Sequence, residues 1–164
     1  MSLYIKFFGL ALMLFAAMAV VRGYREYNER RISELSGFLL LLSHLEGQIS
    51  RYLTPISEAL SEYSDENLAP SGFISEISQG EGLYSAFTKC SPRLAIGDSA
   101  KKILEELFRR LGIGYKEEVL ADIKDASERL CELLRDEKVS TVKNERVVTA
   151  VTACGVLGVF ILLV

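Results

Sequence analysis

The sequence has very few of the residues that build metal and redox sites. Its only histidine is His44, and its three cysteines, Cys90, Cys131 and Cys154, are far apart and form no CxxC pair. A lone histidine without a neighbouring ligand residue is much more often a packed or exposed side chain than a metal ligand. An odd number of cysteines, one of them inside an apolar run, argues against a disulfide framework and fits a reducing compartment. We therefore expect no metal site, no cofactor and no disulfide.

Signatures of common catalytic sites are also missing. The sequence contains no HExxH, GxxxxGK[ST] or GxSxG motif. Adjacent acidic residues such as Glu105 and Glu106 point about 100° apart on a helix, which is typical of a solvated face rather than of a catalytic pair. The net charge is −3 at pH 7, so the chain lacks the basic field that nucleic acid requires. The sequence predicts a protein that is not an enzyme and binds no nucleic acid.

Charge is almost absent from the two ends of the chain. Residues 1–21 contain one charged side chain, Lys6, and residues 147–164 contain none. About 20 apolar residues in a helix cross the hydrocarbon core of a bilayer, and a lysine near the end of a span can extend its ammonium group to the headgroups. We predict transmembrane helices at residues 1–21 and 147–164, with a middle domain at residues 22–146. The competing interpretation, a buried core helix, would require a polar face at each end.

Basic residues flank both predicted spans on the side of the middle domain. They are Arg22, Arg25, Arg30 and Arg31 after the first span, and Lys138, Lys143 and Arg146 before the second. Because lysine and arginine accumulate on the cytoplasmic side of spans, the middle domain is predicted to face the cytoplasm of a bacterial cell. An alternative is a cleaved signal peptide ending near Ala17-Met18-Ala19, which would leave an exported helical domain with a C-terminal anchor, acting as a sensor or binding module. A membrane enzyme with a non-standard site is a further alternative.

The middle segment has the periodicity of helices throughout. Its first apolar stripe comprises Ile32, Leu35, Phe38, Leu39, Leu42, Leu45, Ile49, Tyr52 and Leu53. These three- and four-residue steps predict one long helix that continues out of the first span. The run 38–42 is apolar all round, which favours full burial over an exposed partner surface. Thr54-Pro55 favours the start of a second helix that ends near Tyr63.

Shorter helical stretches follow. Residues 73–78 and 82–90 are amphipathic, a helix capped by Asp98 ends at Gly112, and a last helix begins after Gly114. The inner face of that last helix is predicted to comprise Val119, Leu120, Ile123, Ala126, Leu130, Leu133 and Leu134. The expected fold class is all-α, an antiparallel helical bundle flanked by two transmembrane helices.

Three stretches carry a resemblance to a known family. They are LLSHLEGQISRYLTPISEAL at 41–60, LEELFRRLGIGYKEEVLADI at 104–123 and GVLGVFILLV at 155–164. In order and spacing the whole chain resembles the stage III sporulation protein AB family, a component of the channel complex of endospore-forming bacteria. The most specific part of the resemblance is carried by Leu45, Glu46, Ile49, Thr54 and Pro55.

The resemblance implies a membrane scaffold. Members of that family lie in the outer membrane around the engulfed forespore, with the helical domain in the mother-cell cytoplasm. Their soluble domain is similar to the cytoplasmic helical domains of the type II secretion platform protein. The implied partners are a secretion-type ATPase of the same operon, other membrane proteins of the channel complex and the lipid bilayer, with a homo-oligomer as a further option. Our candidate partner interface comprises Glu46, Arg51, Thr54 and Pro55.

Overall fold

All regular structure in the described part of the chain is helical. The computed structural model describes residues 2–52, 56–61, 63–111 and 115–163, and these contain no strand. This confirms the all-α prediction. The α-helices are α1 (Ser2–Tyr52), α2 (Ile56–Ser61), α3 (Phe73–Ser78), α4 (Leu83–Cys90), α5 (Asp98–Arg110) and α6 (Lys116–Leu163). Short 3-10 turns precede α3 at Ala69–Ser71 and follow α4 at Ser91–Arg93.

The start of α5 differs from the prediction by one residue. Asp98 is the first helical residue, and the N-cap is Gly97, whose backbone is extended and which offers no side-chain hydrogen bond. The carboxylate of Asp98 still lies in the first turn, where it interacts favourably with the positive end of the helix dipole. The predicted starts and ends at Thr54, Pro55, Gly112 and Gly114 lie outside the described residues.

The chain divides into two compact units. One contains residues 1–29 and 138–164, and the other contains residues 30–137. Among the described residues, no helix carries a stretch that is long and apolar enough to cross a membrane. The spans predicted at 1–21 and 147–164 include side chains outside the description, at 1–8 and 10 and at 156, 157 and 159–164. Both spans and the three-domain division stay predictions.

Four buried phenylalanines form the centre of the 30–137 unit. Phe38 of α1 meets Phe73 of α3 and Phe87 of α4 edge to face, with ring centroids 5.2 and 5.9 Å apart. Phe108 of α5 lies 5.3 Å from Phe87 in the same kind of contact. Such pairs contribute about 0.5–1.5 kcal/mol each beyond the burial of their area. The cluster therefore joins one long helix to three short ones that are too short to be stable alone.

The predicted apolar stripe of α1 is confirmed at the positions that the structure describes. Its buried members are Leu35, Phe38, Leu42, Leu45 and Ile49, with Leu41 buried beside them, and Ile32 and Leu39 are partly buried. Leu53 and the side chain of Tyr52 lie outside the description. The run 38–42 was predicted to be buried throughout, but Leu40 is 54% exposed. At 100° per residue Leu40 points about 200° away from Phe38, so a helix that packs through one face must expose it.

The inner face of α6 is confirmed in its first half. Val119, Ile123, Ala126 and Leu130 are buried, whereas Leu120, Leu133 and Leu134 are partly buried against the same core.

A buried carboxylate joins α1 to the segment between α4 and α5. Glu34 is fully buried and accepts hydrogen bonds from Nε of Arg30 at 2.8 Å and from the backbone N–H of Ala95 at 2.6 Å. A terminal guanidinium nitrogen of Arg30 also donates to the carbonyl of Arg93 at 2.9 Å. A buried carboxylate is costly unless it is paired in this way. We call Glu34, Arg30 and Ala95 the carboxylate clamp.

The turn after α2 packs closely against α1 at Gly37. A Cβ added there would lie 2.8 Å from Cγ of Leu68, so the close approach requires glycine. The hydroxyl of Tyr63 donates to the carbonyl of Gly37 at 3.3 Å and to Asp65 at 2.9 Å. Burial, followed by the hydrogen bond with the Asp65 carboxylate, raises the pKa of Tyr63 above its ordinary value, so the hydroxyl stays a donor. These contacts hold the segment that follows α2 against α1.

Candidate partner interface

An open apolar cavity lies among α2, α4, the end of α5 and the turn between α3 and α4. Its volume is about 550 Å³. The lining residues are Ile56, Leu60, Ile77, Gly80, Glu81, Gly82, Leu83, Tyr84, Ser85, Phe108, Arg109 and Leu111. The side chains of Leu60, Ile77 and Leu83 are buried, and Tyr84 is 41% exposed. We call this feature the α2–α5 cavity.

Two glycines turn the chain between α3 and α4 and so shape one wall of the cavity. Gly80 has φ of 87°, a left-handed conformation that glycine adopts without strain, and its N–H donates to the carbonyl of Ile77 at 2.9 Å. Gly82 is the extended N-cap of α4. The sequence predicted separate amphipathic stretches at 73–78 and 82–90, and the turn between them, at Gly80, Glu81 and Gly82, lines the cavity.

The mouth of the cavity carries charges of both signs. The carboxylate of Glu81 accepts hydrogen bonds from Nζ of Lys89 and from the hydroxyl of Ser85, both at 2.6 Å. The hydrogen bond from Lys89, followed by that from Ser85, holds the pKa of Glu81 below its ordinary value. The same hydrogen bond raises the pKa of Lys89, so both groups are charged at neutral pH. Arg109 makes no ion pair with a carboxylate in the described part of the chain.

An apolar floor with a charged mouth is the arrangement found in protein–protein interfaces. Such interfaces have an apolar, well-packed centre and a polar rim, and aromatic residues and arginine are enriched at them. Tyr84 and Arg109 at the cavity mouth are residues of these types. The cavity can therefore receive apolar side chains of a partner while its mouth contacts the partner's polar groups.

The two predicted interface residues that the structure describes, Glu46 and Arg51, do not line this cavity. Glu46 and Arg51 are exposed on α1, and five residues of helix place them roughly 140° apart. Neither forms an ion pair with another described residue. Thr54 and Pro55 lie outside the described residues, although Ile56, the next residue in the sequence, lines the cavity.

His44 is packed, which is one of the two environments expected of a lone histidine. Its Nε2 lies 3.1 Å from the carbonyl oxygen of Ala59, to which it donates when the proton is on that nitrogen. Its ring centroid is 5.2 Å from that of Tyr63. The histidine thus holds α2 against α1.

Sequence reasoning did not identify Tyr84, Glu81 or Arg109 as a group. Each lies on a different local element, and only the packing of α4 and α5 around the phenylalanines brings the three together. The local sequence marks only the gap between the amphipathic stretches 73–78 and 82–90, in which Glu81 lies.

Comparison with known proteins gives one match. The family model of stage III sporulation protein AB matches residues 6–164. The matched range includes all the residues that line the α2–α5 cavity, residues 6–21 of the first predicted span and the whole of the second. Among curated proteins and solved structures, none matches the chain.

Proposed function

The chain belongs to the stage III sporulation protein AB family, and on this premise we propose that it is a membrane-anchored adaptor of a sporulation channel complex. In this role the helical domain docks a cytoplasmic secretion-type ATPase and connects it with the membrane proteins of the complex. The observation that carries the docking step is the α2–α5 cavity, with its apolar floor and charged mouth. The role is structural and needs no catalytic site.

The proposed topology places both ends in the membrane and the helical domain in the mother-cell cytoplasm. The arginines after the first predicted span support it. In the structure Arg22 and Arg25 pair with Glu26 and Glu29 one turn further on. These carboxylates do not weaken the argument, because lysine and arginine set the orientation of a span and acidic residues contribute little.

Cysteine labelling tests this topology, and the structure selects the residue to use. Cys131 is exposed on α6, whereas Cys90 is buried and its burial raises the pKa of its thiol. In a Cys154→Ser background, we expect a membrane-impermeant maleimide to leave Cys131 unlabelled in intact cells and to label it in inverted membrane vesicles. Cys90 should react only after unfolding, because a thiol reacts as the exposed thiolate. Labelling of Cys131 from outside intact cells would favour the exported alternative.

Docking at the cavity is tested by Tyr84→Asp. Tyr84 is exposed at the mouth, so its replacement should leave the fold intact while it replaces an aromatic contact with the partner by a negative charge. We expect the affinity for the purified ATPase of the same operon to fall about tenfold or more, as for other aromatic residues that contribute strongly to an interface. The matched control is Leu40→Asp, which introduces the same charge at an exposed apolar position of α1 outside the cavity. Helical content and melting of both variants establish that they fold.

The same binding assay separates the cavity from the surface predicted on α1. Unchanged ATPase binding by Tyr84→Asp, together with weakened binding by Glu46→Lys with Arg51→Glu, would move the interface to α1. Exposed charges contribute little to folding, so the double reversal should not change the melting temperature. Normal sporulation after deletion of the whole protein would contradict the adaptor role itself.

A further inference from the structure

A second cavity lies in the unit formed by residues 1–29 and 138–164. Its volume is about 710 Å³. The lining residues are Phe15, Met18, Ala19, Val21, Arg22, Arg25, Glu26, Glu29 and Glu145. The lining residues on α1 are apolar up to Val21 and charged from Arg22 onward, which is where the first predicted span ends. We call this feature the span-end cavity.

The apolar half of the span-end cavity is open. Phe15 is 74% exposed and Met18 is 67% exposed. Exposed apolar groups of this size, continuous with one another, mark a surface that contacts other apolar groups. In a chain anchored as proposed, the groups available at this depth include lipid acyl chains.

The charged half contains two arginines and three glutamates. Nε of Arg22 lies 3.1 Å from the Glu26 carboxylate, and Nε of Arg25 lies 2.9 Å from that of Glu29 and 3.8 Å from that of Glu145. A guanidinium group has five N–H donors, and these contacts use only Nε. The terminal nitrogens of both arginines therefore keep donors for a phosphate.

The charges of these side chains can be compared with those of the common lipid headgroups. Two positive and three negative side chains give a net charge of −1. A headgroup that carries only negative charge, such as that of phosphatidylglycerol, would satisfy the arginines and leave the carboxylates opposed by a like charge. A headgroup with a phosphate and a primary ammonium group satisfies both, because the ammonium has three N–H donors. A choline headgroup carries the positive charge without a donor.

From this charge pattern we infer that the span-end cavity binds phosphatidylethanolamine. The phosphate accepts hydrogen bonds from Arg22 and Arg25, the ammonium donates to Glu29 and Glu145, and an acyl chain lies against Phe15. The inference rests on the membrane anchoring proposed above. It differs from the expectation that the flanking arginines alone would give, which is a preference for anionic lipids.

Lipid retention tests this inference on the full-length protein. The chain is reconstituted in bilayers of equal parts phosphatidylethanolamine, phosphatidylglycerol and phosphatidylcholine, extracted in mild detergent, and its retained lipids are counted by mass spectrometry. We expect roughly two- to fivefold enrichment of phosphatidylethanolamine over each of the others, the range that exposed ion pairs give. Glu29→Gln with Glu145→Gln should abolish it or reverse it toward phosphatidylglycerol. The control, Glu117→Gln with Glu128→Gln, makes the same charge change at exposed positions of the 30–137 unit and should keep the enrichment.

Each contrary outcome has a separate meaning. Resistance to alkaline extraction, measured on the same bilayers, reports the anchoring. An inserted wild-type chain without phosphatidylethanolamine enrichment would overturn the inference and leave the anchoring intact. Equal loss of enrichment in the control pair would overturn it too, because the effect would then come from net charge. A chain that is extracted by alkali would contradict the anchoring and the inference together.

Discussion

Phe38→Ala is expected to lower the free energy of unfolding by about 3–5 kcal/mol, the range for removal of a buried aromatic ring. Phe38 is fully buried and touches the rings of the three other phenylalanines, so its loss leaves a cavity between four helices. Domains are stable by only about 5–15 kcal/mol, so the loss is a large share of the total. Denaturant titration of the full chain in detergent, followed by circular dichroism, measures it.

Two neighbouring substitutions on α1 provide the comparison. Leu42→Ala, at a fully buried position, should cost about 2–5 kcal/mol, and Leu40→Ala, at an exposed one, should cost very little. All three variants place alanine in the same helix, so helix propensity changes little among them. If Phe38→Ala unfolded at the same denaturant concentration as Leu40→Ala, the assignment of the core face of α1 would be wrong.

Glu34→Ala is expected to lower the free energy of unfolding by about 1–3 kcal/mol through the loss of buried hydrogen bonds. It removes the acceptor for the N–H of Ala95 and for Nε of Arg30, and a buried donor left without a partner costs about that much. The guanidinium of Arg30 is partly exposed and can be rehydrated, which keeps the loss below that of a wholly buried pair. Faster hydrogen exchange at the amide of Ala95 should accompany the loss of stability.

The same helix offers a matched control for the carboxylate clamp. Glu29 pairs with Arg25 in the same i, i+4 geometry as Glu34 with Arg30, but its carboxylate is exposed. Glu29→Ala should therefore change stability by about 0.5 kcal/mol or less. Equal effects of Glu34→Ala and Glu29→Ala would show that burial of the carboxylate contributes nothing.

Local sequence predicted the helices well because helix formation depends on neighbours three and four residues away. The bounds of α3 are as predicted, and α5 starts one residue earlier than predicted, with Asp98 as its first residue rather than its cap. The carboxylate clamp was not predicted. Its donor at Ala95 is 61 residues from Glu34, and no periodicity signals a hydrogen bond of that range.

The candidate interface was predicted from a family resemblance. Some of the residues that carry this resemblance are buried in the core of the protein. Leu45 and Ile49 of the resembling stretch are buried in the core, so they maintain the fold whatever the partner. Glu46 is exposed and remains a prediction of contact. The cavity around Tyr84 could not be read from the sequence, because its walls come from α2, α4 and α5 and meet only in the packed domain.

The order of the phenylalanines along the chain has a consequence for synthesis on the ribosome. Phe38 emerges first, and the last ring that covers it, Phe108, follows about 70 residues later, which takes roughly 4–14 s at 5–20 residues per second. During that interval the apolar stripe of α1 has no tertiary partner from α5. The nascent chain therefore exposes a long apolar helix face for seconds, and a holding chaperone or early delivery to the membrane would protect it from aggregation at this stage.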